Sequence, residues 1–375
     1  MELNGGGYLR PVWKGAIDSS DEHQVAEFAG ACPGRRVVGR DSDAAVRHPY
    51  LGPVVAAWEA WATDPEIRYT ASSGGALTAL IAWLIESGDF RTSTAASAAV
   101  DPRRTVSVTI TSREEALAAS GSRYAPVSTA SCCDLDAGAD TGIVGKPCEV
   151  SAIRQLHELR GKDSRPILFS FFCAGTPSQL ATEGLLKDLG FDENARLVAL
   201  RYRGHGWPGD FYAEDKNGNK AGAGYNDSWG RCLGPTTQWR CKICPDGVGE
   251  SADIAAGDFW EADESGFPDF GDKQGVSVLI ARTARGEAIV RRAIAANIIE
   301  VRPANLDDVA QIQPLQRKRR ETLVGRMIGS SIARNRVPRY SGFGIFNAAR
   351  TSPMSTLRAI PGTFIRARKM RRSER

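Results

Sequence analysis

The 375-residue chain is 42% hydrophobic and 25% charged, as in ordinary globular proteins, and its length allows one large or two ordinary domains. Its eight cysteines are too sparse for a disulfide scaffold in a chain long enough to bury its own core, which leaves metal binding, thiol chemistry and plain burial. The net charge of +4 is unevenly divided: residues 317–375 hold 16 Lys and Arg against Glu321 and Glu374, so a tail of about +14 follows a body of about −10.

The chain opens Met1-Glu2-Leu3-Asn4-Gly5-Gly6-Gly7, without the basic start, apolar core and small-residue cleavage site of a secretory signal. A cytoplasmic protein with reduced thiols is expected. Residues 1–66 are punctuated by Gly and Pro and read as an irregular segment, with Cys32 in Ala31-Cys32-Pro33-Gly34. The longest nearly apolar stretch, Gly74 to Ile85, is about a dozen residues against roughly 20 for a membrane-spanning helix, so no transmembrane segment is expected. That stretch predicts an amphipathic helix: Leu77, Leu80, Ile81, Leu84 and Ile85 recur on one face, Ser72 and Ser73 are available as caps, and Gly88 suits the end. At its start, Ser72-Ser73-Gly74-Gly75 offers free amides and missing side chains to an anionic cofactor group, although capping alone explains most Ser-Gly starts.

Two later segments repeat a strand-to-helix pattern with a cysteine at the join. Thr141 to Gly145 reads as a strand, Pro147 as a turn, and Val150, Ile153 and Leu156 as one face of a helix, with Cys148 at its entrance. Pro166 to Phe172 is again strand-like, and after Cys173 the pair Thr176-Pro177 reads as cap and first turn of a helix. In a mostly parallel sheet both joins fall at the carboxyl ends of strands, where open α/β sheets gather ligands. Helix N-termini also favour the thiolate, the form that binds metal.

The third context, Arg240-Cys241-Lys242-Ile243-Cys244-Pro245-Asp246, sets two sulfurs on a tight turn. A zinc knuckle, a thioredoxin-like dithiol and half of an iron-sulfur site all use C-x-x-C. The dithiol expects a helix directly after the pair, where Pro245-Asp246-Gly247-Val248-Gly249 reads as loop, and no second C-x-x-C supports a zinc knuckle. Scattered single cysteines plus one pair suit a buried cluster better. Gly204-His205-Gly206-Trp207-Pro208-Gly209 matches the dinucleotide fingerprint in letters, but Pro208 and the hairpin signal Asn217-Gly218-Asn219 replace the helix that the fingerprint must open. Cys132, Cys133 and Cys232 are read as buried rather than ligating, and Asp253 and Asp258 as turn-shaping residues. The C-terminal basic clusters read as a solvated arm. Without a zinc finger or RNA-recognition motif, nucleic-acid binding is not expected.

The segments Arg68 to Leu80, Gly121-Ser122-Arg123-Tyr124, Gly145-Lys146-Pro147-Cys148, Phe172-Cys173-Ala174-Gly175, Gly206-Trp207-Pro208-Gly209 and Arg240 to Cys244 follow in order, with Ala252 to Asp258 and Ser277 to Gly286 behind them. In that order they resemble the coenzyme F420 hydrogenase/dehydrogenase β-subunit family from Arg68 to about Asn297. The resemblance implies an oxidoreductase with FAD and one 4Fe-4S cluster, exchanging electrons with a reduced deazaflavin or a ferredoxin, and a separate partner subunit. It implies Cys148, Cys173, Cys241 and Cys244 as cluster ligands, and Ser72, Ser73, Gly74, Gly75, Gly121, Ser122, Arg123 and Tyr124 as flavin contacts. Relatives often carry closely spaced N-terminal cysteines; Cys32 stands alone here, so no second cluster is expected. No catalytic acid or base stands out, since His205, Tyr124, Lys146 and Arg123 all have ordinary structural uses.

The expected fold is α/β: a mixed or mostly parallel sheet flanked by helices, an irregular segment at 1–66, a catalytic body at 67–300 and a basic extension at 301–375. The rival reading is a non-enzymatic interaction protein that holds zinc in the same four sulfurs.

Overall fold

The computed structural model describes residues 1–12, 22–40, 46–162, 164–260 and 274–373, with side chains to Met370. Its principal strands are β1 (Ala56–Ala62), β2 (Thr92–Ala98), β3 (Thr105–Ile110), β4 (Thr141–Gly145), β5 (Ile167–Phe171), β6 (Leu197–Arg201), β7 (Phe211–Asp215), β8 (Lys220–Ala223), β9 (Ile254–Asp258), β10 (Ser277–Ala281) and β11 (Ile299–Pro303). The principal helices are α1 (Ala76–Glu86), α2 (Pro147–Leu159), α3 (Gln179–Asp188), α4 (Ala284–Ala295), α5 (Pro314–Ile332) and α6 (Pro353–Ser373).

Eight strands form one sheet in the order β11-β1-β10-β9-β5-β4-β2-β3. β2, β4, β5 and β9 run parallel at its centre, and the remaining pairings are antiparallel, so the sheet is mixed, as expected. Alternation along the strands sends neighbours to opposite faces. Phe169 and Leu279 meet α1 and α4 on one side, while Leu168 meets α2, and Val278 and Ile280 meet Val309 and Ala310, on the other. Both faces are therefore covered, which is why Ser277 to Ala281 is buried throughout. Strands β6, β7 and β8 form a separate antiparallel meander that packs on α3.

Helix α1 carries the apolar stripe the sequence predicts, with Leu80, Ile81 and Leu84 buried and contributing roughly 1.5–3 kcal/mol each. Its start differs from expectation. Neither serine caps it: the cap position is Gly75 in the left-handed region, with no side-chain hydrogen bond. Helix α3 is capped by Ser178, not Thr176, so Cys173 lies on the preceding loop and gains nothing from a helix N-terminus. The meander confirms that the Gly204–Gly209 loop opens no helix.

Both flanking segments are more structured than the sequence suggests. The N-terminal stretch contains the helix Glu22–Ala31 and donates β1 to the sheet, while β11 at the start of the basic extension lies beside β1 at the sheet edge. Helix α5 is no solvated arm: Arg319 and Arg320 are 5% and 3% exposed. Helix α6 packs on α5 where Gly325 and Gly329 leave no room for a side chain, since a Cβ there would meet the Thr356 and Ile360 carbonyl oxygens.

Asp253, just before β9, is fully buried. It accepts from Arg154 on α2 at 3.2 Å, Arg165 at 3.0 Å, Arg285 on α4 at 2.6 Å, Thr283 at 2.9 Å and the Leu168 amide of β5 at 2.9 Å. It is a structural hub rather than a turn residue. Asp253→Ala leaves three guanidinium groups without their shared counter-charge and should cost about 3–5 kcal/mol, read as a lowered urea midpoint. An unchanged midpoint would show that Asp253 holds nothing together.

Candidate functional site

Strands β4, β5 and β9 end at the same edge of the sheet, at Gly145, Phe171 and Asp258, and β10 begins there at Ser277. The segments leaving this edge build two adjoining regions.

The first holds the four cysteines. Cys148 sits in the first turn of α2, whose Glu149 reaches back to accept from the Lys146 amide at 3.1 Å and from Lys146 Nζ at 2.9 Å. Cys173 leaves β5 and donates its amide to Gly247 O at 2.8 Å. Cys241 lies in the helical turn Trp239–Lys242, and Cys244 closes the following turn with its amide 3.3 Å from Cys241 O. The loops touch: Gly175, at φ +127°, would drive a Cβ to 3.0 Å from Cys241 Cβ, and the Thr176 amide donates to Cys241 Sγ at 3.4 Å. Asp246 fixes the last loop by accepting from the Val248, Gly249 and Glu250 amides.

All four cysteines are half-buried as residues and none is in a disulfide. Their surroundings favour the neutral form. Burial, and next the charge of Glu149, push Cys148 up, with smaller contributions from Cys244 and Cys173. Burial and Cys241 push Cys173 up to about 12, and burial likewise raises Cys244. Cations oppose this: Lys146 beside Cys148, Arg319 beside Cys173 and Arg240 beside Cys244. For Lys146 itself burial works against the ammonium, but Glu149, then Cys148, outweigh it and hold its pKa raised. Among the described residues, no group of three or more His, Cys, Asp or Glu is arranged to hold a metal ion.

The other cysteines stand apart. Cys133 is half-buried, donates to Thr129 O at 3.4 Å and is pushed up to about 12 by burial. Cys132 is exposed at the end of a 3-10 turn, not buried in a strand, and Cys232 packs against the core of the meander.

The second region gathers the Ser72–Gly75 and Gly121–Tyr124 segments. Ser72 Oγ lies 2.8 Å from Ser122 Oγ. Ser73 Oγ donates to Val276 O at 2.9 Å, and Ser277 Oγ accepts from the Gly74 amide at 3.0 Å. Gly74 and Gly75 serve packing: a Cβ on Gly74 would meet Ala60 O at 2.4 Å, and one on Gly75 would meet Ile67 O at 3.0 Å. The start of α1 is nevertheless buried and lacks a side-chain cap, which leaves first-turn amides to find other acceptors. Arg123 is committed elsewhere, donating to Thr105 Oγ1 and to the carbonyls of Leu200, Pro102 and Arg104.

Arg203 is the residue that sequence reasoning missed. It is 3% exposed, donates to Asp258 Oδ2 at 2.7 Å and Pro208 O at 2.9 Å, contacts the Ser72 carbonyl, and lies 5.1 Å and 5.3 Å from the ring centres of Trp207 and Tyr225. Burial works against its charge, but Asp258 outweighs that and raises its pKa. Trp260 extends the aromatic wall, 5.6 Å from Trp207. The only sequence signal was a basic residue ahead of a Gly-rich loop that fails as a nucleotide fingerprint. His205 on that loop is exposed, as expected.

Comparison with known proteins agrees with this architecture. Residues 57–133 match the family described as coenzyme F420 hydrogenase/dehydrogenase, beta subunit N-terminus, and residues 138–307 match the C-terminus of the same subunit. The chain belongs to this family of redox subunits. It is 29% identical over 257 residues to the coenzyme F420 hydrogenase subunit beta of Methanococcus voltae, covering 66% of this chain and 83% of the relative. It is 27% identical over 267 residues to the subunit of the same name from Methanosarcina barkeri (strain Fusaro / DSM 804), covering 69% and 85%. Its fold superposes on a chain of the xenon-derivatized F420-reducing NiFe hydrogenase complex from Methanosarcina barkeri with a TM-score of 0.52 at 24% identity, over 74% of this chain and 96% of that one.

Two outcomes test the cysteine region. Replacing Cys148, Cys173, Cys241 or Cys244 by Ser should each remove most of the iron taken up on anaerobic reconstitution, whereas Cys132→Ser should leave it intact; unchanged iron in two of the four overturns the grouping. Because raised thiol pKa values keep protons on the sulfurs that a metal must displace, iron uptake by the apo chain should quicken from about pH 7 to about pH 9. A flat or falling rate would contradict that sign.

Proposed function

We propose that the chain is an iron-sulfur flavoprotein oxidoreductase with FAD and one 4Fe-4S cluster, passing electrons between a reduced deazaflavin or ferredoxin-type donor and an acceptor, alongside a partner subunit. The observation that supports this reading is that Cys148, Cys173, Cys241 and Cys244, from three separate segments, lie close enough to act electrostatically on one another, while the uncapped start of α1 bonds to Ser277 at the same sheet edge.

The donor set fits the cluster. Four thiolates suit one 4Fe-4S group, and Lys146, Arg240 and Arg319 offset the negative charge such a group brings. The backbone amide of Thr176 supplies a hydrogen bond to sulfur, one of the means by which potential is tuned.

The second region fits a flavin in the same sense. The start of α1 would face an anionic part of the cofactor, with Ser72, Ser73, Gly74, Gly75, Gly121, Ser122 and Tyr124 around it. Arg203 is held in place by Asp258 and the flanking rings, so its charge and the Trp207 and Tyr225 faces stay oriented without substrate. Flavin when bound would supply exchange between paired and single electrons. Among the described residues no helix is long and apolar enough to cross a membrane.

Anaerobically purified chain should be yellow-brown and its flavin bleached by at least one of reduced deazaflavin, reduced ferredoxin and NADPH offered in parallel. Colourless protein that retains stoichiometric zinc after reconstitution would refute the redox reading. Ser122→Phe, which fills the space beside Ser72, should lower bound FAD by about tenfold or more, measured after heat release. Full FAD occupancy in the folded variant would move the flavin elsewhere.

A further inference from the structure

The family match ends at residue 307, yet the cysteine loops are held by side chains that follow it. Arg319 on α5 places Nη1 3.0 Å from Cys173 O and Nη2 2.8 Å from Ala174 O. Gln316, one turn earlier, donates to Cys173 O at 3.2 Å. On the other loop, Arg326 donates to Lys242 O at 3.0 Å, Tyr340 to Ile243 O at 2.7 Å and Arg320 to Pro245 O at 3.3 Å. Five consecutive or near-consecutive carbonyls around Cys173, Cys241 and Cys244 thus end on one C-terminal segment.

These are not surface contacts. Gln316, Arg319 and Arg320 are 7%, 5% and 3% exposed, and Arg320 is further locked by Glu250. Charge-assisted bonds to carbonyls in such surroundings are worth more than neutral ones and are costly to leave unmade. Within the same loops the Thr176 amide donates to Cys241 sulfur, so the clamped backbone also contacts a thiol directly. A planar guanidinium that spans two successive carbonyls fixes the loop's orientation, which a single point charge cannot do.

We infer that α5 is a clamp on the cysteine loops and that Arg319 is a positioning residue with two separable effects: its fork holds the Cys173 loop in ligating geometry, and its charge stabilises the more negative, reduced state of the group held there. The inference rests on the cluster reading above. Loss of the fork should weaken retention, and loss of the charge should lower the reduction potential.

The experiment uses the full chain, reconstituted anaerobically, with iron content, the rate of iron loss to a chelator and the midpoint potential followed by electron paramagnetic resonance. Arg319→Gln should lose iron roughly tenfold faster than wild type, the size typical for groups that orient metal ligands, and titrate at a more negative potential. Arg319→Lys keeps the charge without the fork, so its potential should stay near wild type while iron loss remains fast. Gln316→Leu removes a neutral donor and should speed iron loss alone; with Arg319→Lys it carries the test if Arg319→Gln does not fold. Wild-type chain that takes up iron, with variants indistinguishable from it in both readouts, overturns the clamp and leaves the proposed function standing. Wild-type chain that takes up none overturns both.

Discussion

The fold turns on the buried carboxylate of Asp253. A charge without water must be matched, and here three arginines, a threonine and a strand amide from four segments converge on it. Backbone bonds on either side complete the joint: the Asp253 amide donates to Leu168 O at 2.7 Å, and its carbonyl accepts from the Arg282 amide at 2.9 Å. The register among β5, β9 and β10 is thereby pinned at one end, so their opposite ends arrive together. That is the edge where Cys173, Asp258 and Ser277 lie. The Asp253 hub and the candidate site thus occupy opposite rims of the same sheet.

Arginine does much of the remaining work, chiefly through backbone carbonyls rather than surface ion pairs. Arg282, fully buried, donates to Leu51 O, Pro53 O and Val248 O, and burial lowers its pKa to about 10 even with Glu250 and Asp246 nearby. Arg123 ties the Leu200 carbonyl of the meander to the Pro102 and Arg104 carbonyls of the β2–β3 connection, and Arg319, Arg320 and Arg326 bind carbonyls across the cysteine loops. The positive excess of the C-terminal region is therefore partly consumed inside the molecule, even though its composition looks like that of a soluble tail.

Much of this was legible in sequence because the signals were local. The apolar period of α1, the strand-cysteine-helix join at Cys148 and the hairpin around Asn217-Gly218-Asn219 depend on neighbours a few residues apart, and all appear in the fold. The misreadings came from distant partners. Ser72 and Ser73 resemble caps until Ser122 and Ser277 are brought beside them. Thr176-Pro177 has the composition of a helix start, but Ser178 takes the cap and frees the loop to approach Cys241. Arg203 and Arg319 carried no motif, because the carboxylate that pairs with Arg203 lies 55 residues away in Asp258 and the Cys173 carbonyl that Arg319 holds lies 146 residues away. The Gly- and Pro-rich opening hid β1, whose partners β10 and β11 come more than two hundred residues later.

That last kind of separation bears on how the protein is made. The cysteine region draws on segments from Gly145 to Tyr340, and synthesis runs from the N-terminus, with early regions folding as they emerge. Cys148 and Cys173 are therefore translated long before Gln316 and Arg319 exist to hold their loops. If these cysteines hold the cluster proposed above, metal captured on the growing chain would sit in an unbraced site, and secure loading would await synthesis of the helix that carries Gln316 and Arg319.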